Sequence, residues 1–434
     1  MAKSDKYFKL NGLEEVRRFF LKLQSPIYIF TDNPSIFNSL IGPIRQLRIS
    51  ALNPSDLTLD HISEEISGLG DHVMVISQTP NLQIENFCQE KGAINCNISS
   101  ELAKVLQAPD QLKQTARKSG ISVWPSITSQ VEDYGHLRKI ADGFGKQLHL
   151  EFEFKGKRKH LDINSQDDFD KHSEEILNAR EVTISRPLQF HSIQIPACLS
   201  EEDVLIGPLL IEIMGKEGAV SGIMPESNTL DSSTRKQLRK KVKKFGELIS
   251  KKEMRGVFSL RFLCDKDSDE IYLESLTIGF SYSTLLADLS ATGRAIAPFA
   301  YFHLLAFLKT KYQIDVDRIN DLWQKHDEND CPCIFFICYE GENQARIENA
   351  PDSGKYSLSP TDRLEEYSIV RQTTHLKHAD GVFFQICRPV GSIVIPGDIM
   401  GFVVLNAMSA SELNLENQNR WIEELRIKFI IKEV

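Results

Sequence analysis

The apolar positions along this chain change period several times, and each change marks an element. Pro26-Ile27-Tyr28-Ile29-Phe30 is a short continuous apolar run of the kind that forms a buried strand. Asp32-Asn33-Pro34-Ser35 follows as a helix opening, with a polar cap and proline in the first turn. His72 to Ser77 predicts a second strand, Leu82 to Lys91 a helix, and Ala93 to Asn97 a third strand, after which Ser99 caps a helix through Leu106. Strands separated by helical stretches predict a small parallel sheet with helices on both faces. No Gly-rich phosphate loop follows any of these strands, which disfavours dinucleotide binding here.

Residues 110–120 predict a helix ending at Gly120, with Ile121 to Pro125 leaving it in an extended segment. Leu148-His149-Leu150-Glu151-Phe152-Glu153-Phe154 alternates strictly between apolar and polar. A basic tip, Lys155-Gly156-Lys157-Arg158-Lys159, and a returning segment, His160 to Ile163, complete a β-hairpin. Ser165 caps the next helix, with Asp168 three residues on. Strands are expected at Val182–Ser185, His191–Leu199, Leu209–Met214 and Ala219–Ile223. In the helix Asp231 to Lys252, Leu238, Val242, Phe245 and Ile249 form one apolar stripe. Two antiparallel strands, Gly256 to Cys264 and Ile271 to Leu276, flank an acidic turn. An apolar helix is expected from about Phe299 to Lys309, where His303 is expected as a core histidine. From 331 onward the pattern is of strands with Gly and Pro turns, closed by an amphipathic helix from Glu416 to Phe429.

Composition narrows the class. With 434 residues, 41% hydrophobic and 26% charged, the chain is expected to fold as several globular units. No apolar run reaches the roughly 18 residues of a membrane span, and the polar start Met1 to Lys9 lacks the apolar core of a secretory signal, so the expectation is cytoplasmic. A net charge of −9 disfavours nucleic acid as a partner. The basic helix residues Arg235, Lys236, Arg239, Lys240, Lys241, Lys243, Lys244, Lys251 and Lys252 are read as a solvated face, with an acidic ligand or RNA as the rival reading. Cys331, Cys333 and Cys338 have poor zinc spacing and sit in an apolar run that predicts a buried strand. No nucleophile elbow or His-Glu-x-x-His pair supports a hydrolase.

Several of these segments together resemble the ATP-grasp superfamily, especially its biotin carboxylase-like and peptide-ligase branches. The likeness rests on the helix Asp110-Gln111-Leu112-Lys113 to Gly120-Ile121, the 155–159 hairpin tip, Arg186-Pro187-Leu188, and the paired strands Arg255 to Leu263 and Ile271 to Glu274. It implies an α/β chain in three parts: an N-terminal α/β domain (1–107), an ATP-grasp region (108–325) with a hairpin lobe at about 121–183, and a β-rich C-terminal domain (326–434). The lobes would clamp ATP and Mg²⁺ about a hinge near 184–188. It further implies an ATP-dependent ligase joining small-molecule carboxylate and amine substrates through an acyl phosphate, with a homodimer left open. Lys113, Lys155, Lys157, Lys159, Arg186 and Leu188 become nucleotide contacts, Glu274 the metal ligand, and Arg261 and Glu274 the catalytic pair across the hairpin. The chain departs from the pattern where Gln111, His149, Glu151, Glu153, Arg261, Leu276 and Ile278 stand at positions the resemblance would give to other residues. A scaffold that binds nucleotide or a partner without turnover is therefore the alternative. Asp265, Asp267 and Asp269 are expected as a solvated acidic turn.

Overall fold

Buried strands need their backbone groups paired and both faces covered, and the N-terminal segments meet that need by forming a four-stranded parallel sheet. A computed structural model of the chain places Leu47–Ser50, Ile27–Phe30, Met74–Ser77 and Ile94–Asn95 side by side in that order, with Ile27 opposite both Leu47 and Met74. The structure describes residues 8–10, 13–22, 27–31, 47–50, 73–154, 157–187, 190–200, 203–215, 220–226, 229–266, 270–293, 296–308, 312–325, 332–358, 364–368, 382–405 and 415–434. The expected helix opening at Asp32–Ser35 lies outside them, as does Leu188.

The chain folds into two compact units. The first comprises residues 1–120, 192–262 and 275–434, and the second comprises 121–191 and 263–274. The expected boundaries after 107 and 325 both fall within the first unit.

In the first unit, one face of the parallel sheet carries Tyr28, Val73 and Val75 against Ile84 and Phe87. The last two come from the helix Leu82–Lys91, whose free N-terminal amides are met by the Asn81 side chain and whose end is set by Gly92 at φ 69°. The other face carries Ile27, Ile29, Met74 and Ile76 into a larger core with Phe299, Phe302 and Trp323. Helix Phe299–Phe307 is buried on all sides, and the buried Asp288 accepts hydrogen bonds from its first amides, Phe299 N at 2.5 Å and Ala300 N at 3.2 Å. Only some of the C-terminal strands, Ile393–Val394, Ala345–Asn349 and Ile430–Glu433, form a sheet of their own. Cys333–Cys338 pairs with Val220–Pro225 on one side and Ile399–Leu405 on the other.

In the second unit, Ser126–Ser129, Val182–Ser185, Leu148–Phe154 and Lys157–Ile163 form an antiparallel sheet in that order. The alternation in 148–154 is realised directly: Leu148, Leu150 and Phe152 are buried with Ile163, Val182 and Ile184. The hairpin is tighter than expected. Its return strand begins at Lys157, opposite Phe154, so Lys157 and Lys159 stand in the strand and not in a tip. Among the described residues no helix is long and apolar enough to cross a membrane.

Candidate functional site

Three groups of side chains carry the chemistry. The first lies in the first unit, on the neighbouring strands Leu210–Met214, Phe190–Ser200 and Gly256–Asp265. Glu212 is almost fully buried and receives a hydrogen bond from Ser192 Oγ at 2.5 Å and another from Gln194 Nε2. Arg261 donates from Nε to Ser192 Oγ at 2.9 Å and to Glu212 at 2.8 Å, and its terminal nitrogen lies 2.7 Å from the same carboxylate. A charge this deep persists only when paired and hydrogen-bonded, and here three side chains from two neighbouring strands supply that. The sequence expectation pairs Arg261 with Glu274; the ion pair found is with Glu212.

The second group belongs to the second unit. Arg186, just past the strand Val182–Ser185, holds its guanidinium 3.2 Å from Asp265 and 4.8 Å from the Trp124 ring centroid. Trp124 in turn meets Tyr272 edge-on. Burial pushes the Tyr272 hydroxyl up to about 12, helped by its hydrogen bond to the Glu270 carboxylate. Asp265 is thus not the solvated residue expected of an acidic turn: it ends a strand, 4% exposed, against an arginine. Asp267 and Asp269 lie outside the described residues.

The third is a cavity of about 270 Å³ in the first unit, lined by Gln78, Tyr282, Cys387, Arg388, Asp398 and Ile399. Gln78 directly follows the strand Met74–Ser77, so the cavity sits at a carboxyl end of the parallel sheet, where ligands of open α/β sheets commonly bind. Thr31 Oγ1 donates to Gln78 Oε1 at 2.9 Å, and Phe280 N to the Gln78 carbonyl at 2.7 Å. Tyr282 opens the helix Tyr282–Gly293, and its hydroxyl lies 3.7 Å from Cys387 Sγ.

The remaining predicted residues divide between the two units. Lys113 is half-buried on the helix Pro109–Ser119 of the first unit. In the second unit, Glu274 is exposed on the strand Ile271–Ile278, and Lys159 lies 3.6 Å from Glu175 on the hairpin surface. Lys155 lies outside the described residues. The basic helix is only partly a solvated face. Arg235 pairs with the buried Glu226 at 2.9 Å, and the buried Arg239 reaches the Ile206 carbonyl. His303 is a core residue, as expected: Val257 N donates to its Nδ1 at 3.0 Å and its Nε2 meets the Cys96 carbonyl at 2.5 Å.

Sequence reasoning missed Glu212, Ser192 and Gln194. The available signal was a lone carboxylate inside the apolar run Leu210 to Met214, and two polar residues at strand spacing in 190–200.

Compared with solved structures, the chain matches N5-carboxyaminoimidazole synthase from Aspergillus clavatus, solved with ADP and 5-aminoimidazole ribonucleotide, at TM-score 0.60 and 14% identity, over 92% of this chain and 99% of that one. It also matches biotin carboxylase from Campylobacter jejuni, at TM-score 0.59 and 13% identity over 99% and 93%. A third match is the biotin carboxylase domain of 2-oxoglutarate carboxylase from Hydrogenobacter thermophilus, solved as a dimer with ADP, magnesium and bicarbonate, at TM-score 0.59 and 10% identity over 98% and 91%. The chain has the ATP-grasp fold, in its biotin carboxylase-like form. No family pattern and no curated protein sequence matches it. Magnesium on nucleotide phosphates is held by carboxylates. Among the described residues no group of three or more His, Cys, Asp or Glu side chains gathers to hold a metal ion. Where the sequence resemblance expects an acid stands Arg261, with its charge set on Glu212. At that position the chain offers a guanidinium in place of a magnesium ligand.

Proposed function

We propose that this chain is a catalytically silent ATP-grasp scaffold that binds an adenine nucleotide without turning it over. The observation that carries this reading is the Arg261–Glu212 pair. Phosphoryl transfer is mostly positioning and charge neutralisation, with metal ions bridging the phosphate oxygens under carboxylate ligands. A guanidinium set into that strand, with the nearest buried carboxylate taken up by three donors, opposes a divalent cation there. Nucleotide binding itself is supported by the match, over nearly the whole chain, to enzymes solved with ADP. The seven cysteines among the described residues form no disulfide with one another, which fits a reducing, cytoplasmic setting.

A second reading is favoured by the cavity. Arg388 beside Gln78 and Tyr282 offers a cation and two hydrogen-bonding groups to a small anion, as an ATP-dependent carboxylate–amine ligase acting through an acyl phosphate requires. One experiment separates the two. ATP is added to the purified chain with and without Mg²⁺, and melting temperature and released ADP are followed in the presence of bicarbonate and an amine. The silent scaffold predicts a rise in melting temperature and no ADP. Magnesium-stimulated ADP release that is lost in Glu274→Ala establishes the ligase instead.

A further inference from the structure

Two stretches of this sequence repeat one triplet, a histidine, a leucine and an acid: His149-Leu150-Glu151 and His160-Leu161-Asp162. They stand on neighbouring antiparallel strands of the second unit, Leu148–Phe154 and Lys157–Ile163, in a register that sets each histidine opposite the other triplet's acid. His149 faces Asp162, Glu151 faces His160, and Leu150 faces Leu161 between them. Side chains alternate along a strand, so the leucines join the apolar core and the four polar groups come out together on the opposite face.

On that face the rings are already ordered. His149 Nδ1 lies 2.7 Å from Asp162 Oδ1, and a carboxylate only accepts, so Nδ1 holds the proton. In the neutral ring this leaves the lone pair on His149 Nε2, which lies 3.4 Å from His160 Nδ1, with the two rings 28° from parallel. That separation is long for a hydrogen bond. It matches two corners of a zinc tetrahedron: nitrogens bound at about 2.0–2.1 Å stand about 3.4 Å apart. An imidazole whose other nitrogen is held by a carboxylate is also the usual form of a histidine ligand. Asp162 and Glu151 bring negative charge beside the two rings, and the next pair on this face, Glu153 and Arg158, is of opposite charges.

We propose that this face binds one zinc ion between His149 Nε2 and His160 Nδ1, with Asp162 as the positioning residue and water on the remaining coordination positions. Imidazole nitrogens suit zinc, whereas magnesium prefers carboxylates and water. The site is therefore independent of nucleotide binding. Its consequence is mechanical. Lys157–Ile163 is the edge strand of its sheet, and a metal bridging it to Leu148–Phe154 ties that edge down.

Calorimetric titration of the purified full chain with zinc tests it. One equivalent is expected to bind in the micromolar range. His149→Asn or His160→Asn is expected to weaken binding roughly tenfold or more, and the double variant to be no weaker than either single one, since one nitrogen alone cannot chelate. Asp162→Ala is expected to cost roughly tenfold with both ligands intact. Asp162→Asn, which still accepts from Nδ1, is expected to lose less. Circular dichroism confirms that each variant is folded. Should one misfold, carbethoxylation of the wild-type chain, mapped by mass spectrometry, decides: zinc shields His149 and His160, leaves His136 reactive, and EDTA removes the protection. A chain that binds no zinc overturns the proposal. So do folded histidine variants that bind as tightly as wild type, or rings modified equally with and without the metal.

Discussion

Arg261 and Glu212 sit on two strands that flank a third, and Ser192 on that middle strand hydrogen-bonds to both. The pair is held from two sides, so removing either member alone leaves the other without its main partner. Glu212→Leu is expected to lower stability by about 3 kcal/mol, since a buried ion pair broken on one side leaves an uncompensated charge. The double variant Arg261→Met with Glu212→Leu is expected to recover most of that loss. Urea unfolding of the three proteins checks this, and equal losses in the single and double variants would contradict it.

His303 makes stability depend on pH. Burial holds its imidazole down at about 4, against which the hydrogen bond to the Cys96 carbonyl works only partly. The unfolded chain therefore binds the proton more readily than the folded one. The stability this site contributes is fully present above the ordinary histidine value of about 6.5 and is lost as pH falls from there toward 4. Between pH 7 and 5 the urea midpoint of the wild-type chain is expected to fall more steeply than that of His303→Gln. Parallel slopes in the two proteins would refute a neutral imidazole in this core.

Gly279 stands at φ 98°, where side chains are disfavoured, and a Cβ there would come within 2.3 Å of the Gln78 carbonyl oxygen. That oxygen accepts from Phe280 N and belongs to the backbone, so it cannot swing aside. Gly279→Ala is expected to cost about 2 kcal/mol or more. It also displaces Gln78 from the cavity wall. Differential scanning calorimetry reads the loss; a melting temperature indistinguishable from wild type contradicts the packing described.

Arg186 joins a carboxylate and an indole, a task that suits a planar guanidinium better than an ammonium. With Trp323 and Trp421 replaced by Phe, emission from Trp124 becomes a local reporter. Arg186→Ala is expected to shift that emission, and Arg186→Lys to behave more like alanine than like arginine. An emission spectrum indifferent to all three side chains would show that the stacking is absent in solution.

Much of the fold is legible in the sequence because its signals are local. The hairpin 148–163 announces itself by period, and the helix Ser232–Ser250 by its cap Asp231 and its stripe of Leu238, Val242, Phe245 and Ile249. Leu47–Ser50 escapes such a reading because Arg48 interrupts an already short apolar run. Helix Tyr282–Gly293 escapes it because Ser, Thr and Ala blur its apolar stripe. The site is far less legible. Glu212 and Arg261 are 49 positions apart, and only strand order makes them neighbours. Asp265 reads as a turn residue from the acids after it, although the strand runs on to include it.

The parallel sheet has a consequence for how this protein is made. Ile27, Ile29, Met74 and Ile76 leave the ribosome early, but the side chains that cover them, Phe299, Phe302 and Trp323, are translated more than two hundred residues later. Throughout that interval one greasy surface of the nascent sheet lacks these covering side chains. Synthesis of this protein should therefore depend on holding chaperones, and a message cut short before codon 323 should yield insoluble product.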